Sequence, residues 1–174
     1  YSRQGGQNFE RGSLFTNSTP VVLKDEIRFY YGAYSLGATG ADDTKQESGI
    51  GFFSIPRDRF AGIRPVAVSD QATLRTPRRH VGQVTMKPRS LEKLKAIRVN
   101  ADAPEGKLWV ELLDADGYRV PGFTREDAVA IQGNGLRHEV AWQGKRLEDL
   151  PAGIYMLRIH LDRASLFAIE LVAE

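Results

Sequence analysis

The side chains able to do chemistry are few and far apart. Three histidines, His80, His138 and His160, share none of the short spacings that zinc sites use. Cysteine is absent, which removes disulfides, thiolate metal sites and thiol nucleophiles. Asp42 and Asp43 stand together in GATGADD, but without the ligand spacing of a calcium loop. No P-loop, Gly-x-Gly-x-x-Gly or Gly-x-Ser-x-Gly pattern occurs. Neither a metal nor a cofactor is therefore expected. What remains are carboxylates, amides and aromatic rings, together with Trp109, two residues before Glu111.

Short β-strands must position these groups. The runs at 19–24 (TPVVLK), 27–34 (IRFYYGAY), 48–55 (SGIGFFSI) and 60–63 (FAGI) read as four strands, and residues 1–13 as a loop. The stretch 35–47 (SLGATGADDTKQE) reads as a long exposed loop. Residues 64–79 form a connector with one short strand at 71–76. Further strands are expected at 82–87, 95–101, 107–114, 128–132, 137–142, 153–160 and 166–172. Gly, Pro, Asp and Asn punctuate the joins, including Gly133-Asn134-Gly135. Only residues 90–94 and 146–150 suggest a helical turn. Many short strands with frequent turns predict an all-β fold: an antiparallel, jelly-roll-like β-sandwich at 81–174, preceded by a four-stranded sheet at 1–65 and a linker at 66–80.

Alternation assigns faces. In residues 107–114 (KLWVELLD), Leu108, Val110 and Leu112 share one side, and Trp109, Glu111 and Leu113 the other. A carboxylate belongs in water, so Glu111 is expected to face solvent and Trp109 with it. Trp109 then reads either as a stacking platform or as a ring covered by a loop. His138, Val140 and Trp142 share a face, which makes Trp142 a core anchor. Packing roles are expected for Phe29, Phe52 and Phe53, and for one of Tyr30 and Tyr31.

Composition fits a folded chain, with 41% hydrophobic and 26% charged residues in 174. No run of eighteen apolar residues is present, so no membrane partner is expected. The chain starts at Tyr1, as a processed or trimmed product would. Net charge is +2, distributed as −1 over 1–55, +8 over 56–99 and −5 over 100–174. The basic middle lacks interleaved aromatics and any nucleic-acid motif, so no nucleic-acid partner is expected. Charge complementarity within the chain accounts for it, with an acidic or sulfated polysaccharide as the alternative.

Two stretches carry a resemblance. SLFTNSTPVVLKDEIRFYYGAYS followed by ESGIGFFSIPRDRFAGIRP resembles the last blade of five-bladed propellers of the glycoside hydrolase kind. VNADAPEGKLWVELLDADGYRVPGF with DAVAIQGNGLRHEVAWQGK resembles the β-sandwich that follows such propellers in many bacterial proteins. The resemblance implies a propeller-type blade and an extracytoplasmic, secreted or periplasmic, protein. Its partners would be an oligo- or polysaccharide and an upstream propeller domain or second chain. Glycoside hydrolysis ordinarily takes two carboxyl groups roughly 5–10 Å apart. In the propeller families they come from different blades. At the matching inner-strand start this chain has Asn17, Ser18 and Thr19. The expected role is thus non-catalytic: bracing the propeller and binding sugar. The alternatives are a piece of a glycosidase whose acids lie upstream, and a protein–protein interaction module. Carried onto this chain, the blade's rim would gather Glu10, Arg11, Asn17, Thr19, Tyr34, Asp42, Asp43 and Glu47 for substrate binding, with Trp109 on the sandwich. Read from the residues alone, Asp42 and Asp43 are first a solvated loop tip.

Overall fold

The computed structural model describes residues 8–36, 47–66 and 80–173. Where β-branched and aromatic residues run together, the backbone is extended, and the described chain is all-β and antiparallel. It divides into two units, Tyr1–Arg59 and Phe60–Glu174.

The first unit is a four-stranded sheet of β1 (Ser13–Thr16), β2 (Val21–Val22), β3 (Glu26–Tyr34) and β4 (Ser48–Pro56). β3 is central. β4 lines one edge from Glu26↔Pro56 to Tyr34↔Ser48, while β1 and β2 share the other edge. Between Thr16↔Tyr31 and Val21↔Arg28 that edge holds two more residues than β3 does, so it bulges at Asn17–Thr19. The strand number matches expectation, but the membership differs. Ser13–Thr16, within and beyond the stretch read as a loop, is a strand because it pairs with the end of β3. Residues 60–63 do not join this sheet. Ile63 instead bridges Leu166 in the second unit.

Period-two alternation puts Ile27, Phe29, Tyr31 and Ala33 on one face, and Arg28, Tyr30 and Tyr34 on the other. Both faces are aromatic. Phe29 stacks on Phe53 at 4.8 Å, and Tyr30 meets Phe52 at 5.7 Å. The Tyr31 ring lies over Gly51, where a Cβ would collide with it. Yet the only fully buried apolar residues described here are Ile27 and Ala33. The packing expected for Phe52 and Phe53 is therefore cross-strand contact alone, and Phe52 is 54% exposed.

The second unit is a six-stranded curled sheet: β5 (Val81–Thr85), β6 (Arg89–Ser90), β7 (Leu94–Asp114), β8 (Ile131–Glu139), β9 (Ile154–Asp162) and β10 (Ser165–Ala173). β7 organises it. Its first half pairs with β10 and β8, its second half with β9, and β9 passes the sheet on to β5 and β6. Two expected strands, 95–101 and 107–114, are thus one strand of 21 residues. Pro104-Glu105-Gly106, between the two expected strands, sits at a register break between Ala103 and Leu108, where a proline needs no ladder partner. Gly106 backs onto the carbonyls of Asp162 and Arg163 so closely that no Cβ fits. Likewise Gly133-Asn134-Gly135 lies inside β8, with Gly133 at a φ of 79°. The expected helical turn at 146–150 is a 3-10 turn, Leu147–Asp149.

Val99, Ala101, Leu108, Val110, Leu112, Leu157, Ile159 and Leu161 fill the inside of the curl. Trp142 closes it as expected. Its ring meets Phe123 edge-on at 5.1 Å, and its indole N–H donates to the Val110 carbonyl at 2.9 Å. Residues 67–79, including the strand expected at 71–76, lie outside the described residues.

Candidate functional site

The rim residues expected from sequence separate along and across the first sheet. Tyr34 ends β3 beside Ser13 and Ser48, and its ring meets Phe15 edge-on at 6.1 Å. Exposed Glu47 joins this end, donating its backbone N–H to Ser35 Oγ at 2.9 Å and accepting the Ser35 N–H at 2.9 Å. Asn17 lies four residues back along β3, donating its N–H to the Tyr30 carbonyl at 3.2 Å. At about 3.3 Å per residue that is roughly 13 Å from Tyr34. Exposed Thr19 is farther still, in the bulge. Glu10 ends a 3-10 turn, Asn8–Glu10, and accepts a hydrogen bond from the Tyr31 hydroxyl. That bond, and burial to a lesser degree, raises the Tyr31 pKa. Tyr31 and Tyr34 point to opposite faces, so Glu10 and Tyr34 do not converge on one ligand. Arg11 is exposed beside the turn. Asp42 and Asp43 lie outside the described residues. The single rim is thus corrected to one aromatic end, Phe15 and Tyr34 with Glu47, and scattered polar groups. The two extra residues between β1 and β2 separate Thr19 from the Tyr34 end of the sheet.

The second unit overturns the reading of Glu111. Its side chain is 0% exposed. On the outer face of the sheet, Trp109 pairs with His160 and Glu111 with Arg158, while Gln83 and Thr85 of β5 continue the rows. His160 Nε2 lies 2.9 Å from Glu111 Oε1, and Arg158 Nη1 lies 3.4 Å from the same oxygen. A carboxylate only accepts, so Nε2 carries the hydrogen of that bond. The other oxygen receives Arg119 Nε at 3.3 Å and the backbone N–H of Arg125 at 3.2 Å. Residues 118–126 thereby fold over the face that sequence left open to water. Backbone bonds hold this cover down: Val120 N–H to the Leu112 carbonyl at 3.0 Å, and Leu112 N–H to the Phe123 carbonyl at 2.9 Å.

Trp109 is half-buried, packed against the core, with the Arg125 guanidinium 4.8 Å over its ring. Of the two sequence readings, the covered ring matches this placement. Around the cover, Arg119 also holds Glu126 at 3.0 Å. The Glu126 carboxyl is lowered in pKa, first by its own backbone N–H and then by the Thr124 hydroxyl and the nearby Arg119 and Arg125. Asp127 is lowered by the Thr124 hydroxyl and N–H, at 2.7 and 3.1 Å.

Chemically, Glu111 is a clamp. Its four partners are two guanidiniums, an imidazole and a backbone amide, an arrangement that fixes a carboxylate and joins β7, β9 and the cover. Glycosidic acid catalysis needs a second carboxyl facing the same sugar; the partners of Glu111 are all donors. Among the described residues no group of three or more His, Cys, Asp or Glu is placed to hold a metal ion.

Sequence reasoning missed Glu111, Arg119, Arg158 and His160 as a group. A signal existed: Arg158 and His160 alternate onto one face of a strand, as Trp109 and Glu111 do. The register that sets them side by side is a contact between residues about fifty apart. Among the described residues, Arg98 of the basic middle segment makes two bridges of the expected complementary kind, to Glu139 at 3.7 Å and to Glu170 at 3.6 Å.

Comparison with protein-family models, curated proteins and solved structures finds no match to this chain. Among the described residues no helix is long and apolar enough to cross a membrane.

Proposed function

We propose that this chain is a non-catalytic part of a carbohydrate-active, glycoside-hydrolase-like protein of the cell exterior, bracing a propeller and binding sugar. The observation that carries this reading is the two-faced aromatic sheet of the first unit. A four-stranded sheet gains stability by burying a face, and this one has apolar side chains on both with, among the described residues, only Ile27 and Ala33 buried. Such a sheet suits a blade stacked between two neighbours, which would cover Phe53 on one side and Phe15, Ile50 and Phe52 on the other. Sugar contact falls to the aromatic end of the sheet, where Tyr34 offers a ring to a sugar's C–H face and Glu47 a carboxylate to its hydroxyls. The clamped state of Glu111 speaks for a structural role in the second unit.

Affinity electrophoresis and a glycan array with the wild type, Tyr34→Ala and Trp109→Ala test this. Binding that is lost in Tyr34→Ala and kept in Trp109→Ala is the expected outcome. Absence of binding to every glycan would remove sugar recognition and leave bracing alone. A second reading, a protein–protein module without sugar, is favoured by the outer edge of β4, which has no strand partner among the described residues. Sedimentation over a range of concentrations decides it, because edge pairing gives a concentration-dependent dimer.

A further inference from the structure

Among the described residues four non-glycine residues hold a positive φ, and two of them face each other: His80 at 67° and Arg163 at 46°. The Arg163 N–H donates to the His80 carbonyl at 2.8 Å. Left-handed backbone favours glycine, and Gly117, Gly122, Gly133 and Gly144 supply it elsewhere, alongside Asp58 and Lys93, each at 59°. At 80 and 163 the chain keeps an imidazole and a guanidinium instead. Both residues line one cleft of about 700 Å³ in the second unit, together with Arg64 and Ser165. The cleft's backbone is fixed on each side. Ile63 and Leu166 exchange hydrogen bonds at 2.8 and 2.9 Å, which places Arg64 next to Ser165, and Pro65 packs 3.3 Å from where a Cβ on Gly82 would stand. Charge favours an anion. Arg163 is paired with Asp162 at 3.2 Å, and among the described residues no carboxylate is paired with Arg64.

The geometry points to an oxyanion-binding site: Arg64, Arg163 and His80 converge on a carboxylate, sulfate or phosphate group, and the Ser165 hydroxyl adds a donor. His80 and Arg163 differ from Asp58 and Lys93 in lying side by side on one cleft, where backbone strain kept against glycine suits a functional site. Guanidiniums recognise such groups through paired, charge-assisted hydrogen bonds. In the sugar-binding reading, on which this part of the inference rests, the group would belong to an acidic sugar.

The test is NMR titration of the full chain, following the His80 ring, with sodium sulfate and separately with a galacturonate trimer, at constant ionic strength. Both ligands are expected to shift the His80 resonance, and Arg64→Ala to weaken each by about tenfold, the worth of one charge-assisted contact. Arg163→Gly is expected to weaken binding to a similar degree while raising the melting temperature, because glycine relieves the left-handed backbone. That opposite pair of effects separates loss of a ligand contact from loss of fold. Sulfate binding without the trimer supports the oxyanion site and counts against an acidic sugar as its occupant. Failure of both ligands to bind, or binding unchanged in both Arg64→Ala and Arg163→Gly, overturns the proposal.

Discussion

The two units solve the same problem, burying one side of a β-sheet, to different degrees. In the first, aromatic residues alternate onto both faces, and rings such as Phe29 and Phe53 stack on each other more than on a core. In the second, the sheet curls so that one face closes on itself, and residues 118–126 cover the part of the other face around Trp109 and Glu111. The coverage is complete enough to enclose a carboxylate, Glu111, with its counter-charges. A curved sheet that closes on itself buries a core of its own; a four-stranded sheet with apolar residues on both faces buries little among the described residues.

Mutations can break that contrast. The largest effect is expected for Trp142→Ala, which empties a core position and abandons the Val110 carbonyl. Its cost is about 4 kcal/mol in a urea titration of the second unit's transition. Glu111→Gln follows at about 3 kcal/mol, because Arg119, Arg158 and His160 keep their positions without the charge that joins them. Both arginines are partly exposed, which holds the loss at the lower end of that range. Phe53→Ala in the first unit should lose only about 1 kcal/mol, the worth of a cross-strand aromatic pair. A loss for Phe53→Ala equal to that for Trp142→Ala would abolish the distinction between the units.

The smallest expected effects concern pH, and they fall on opposite limbs. Asp127 has a lowered carboxyl pKa in the folded state, chiefly from the Thr124 hydroxyl. Its contribution is present above the ordinary carboxylate range and is lost as pH falls through the folded value. Thr124→Val should flatten this acid limb in melting temperatures taken below about pH 4. Tyr31 has a raised phenol pKa, chiefly from its bond to Glu10. That contribution is present below the ordinary phenol value, near 10, and is lost as pH rises through the folded value. Tyr31→Phe should remove an alkaline dependence confined to the first unit's transition.

Much of the fold is legible locally. The runs IRFYYGAY and SGIGFFSI are strands because β-branched and aromatic side chains suit an extended, pleated surface, and they emerge as β3 and β4 almost residue for residue. Trp142 is core, as its place on one face with Val140 and His138 leads one to expect for a large aromatic ring. The rim is less legible. A two-residue bulge, invisible in composition, decides where Asn17 and Thr19 stand relative to Tyr34.

By itself, the amino-acid order determined the all-β class, the alternation that makes Trp109 and Glu111 neighbours on one face, and the lack of thiol chemistry. These rest on backbone geometry and side-chain type, which act within a few residues. Tertiary structure alone decided that this face is covered, that Pro104-Glu105-Gly106 bends one long strand, and that His80 meets Arg163. Each of these depends on which distant strand lies alongside. Partners about fifty to eighty residues apart along the chain supply the burial, the counter-charge or the hydrogen bond that local sequence leaves open.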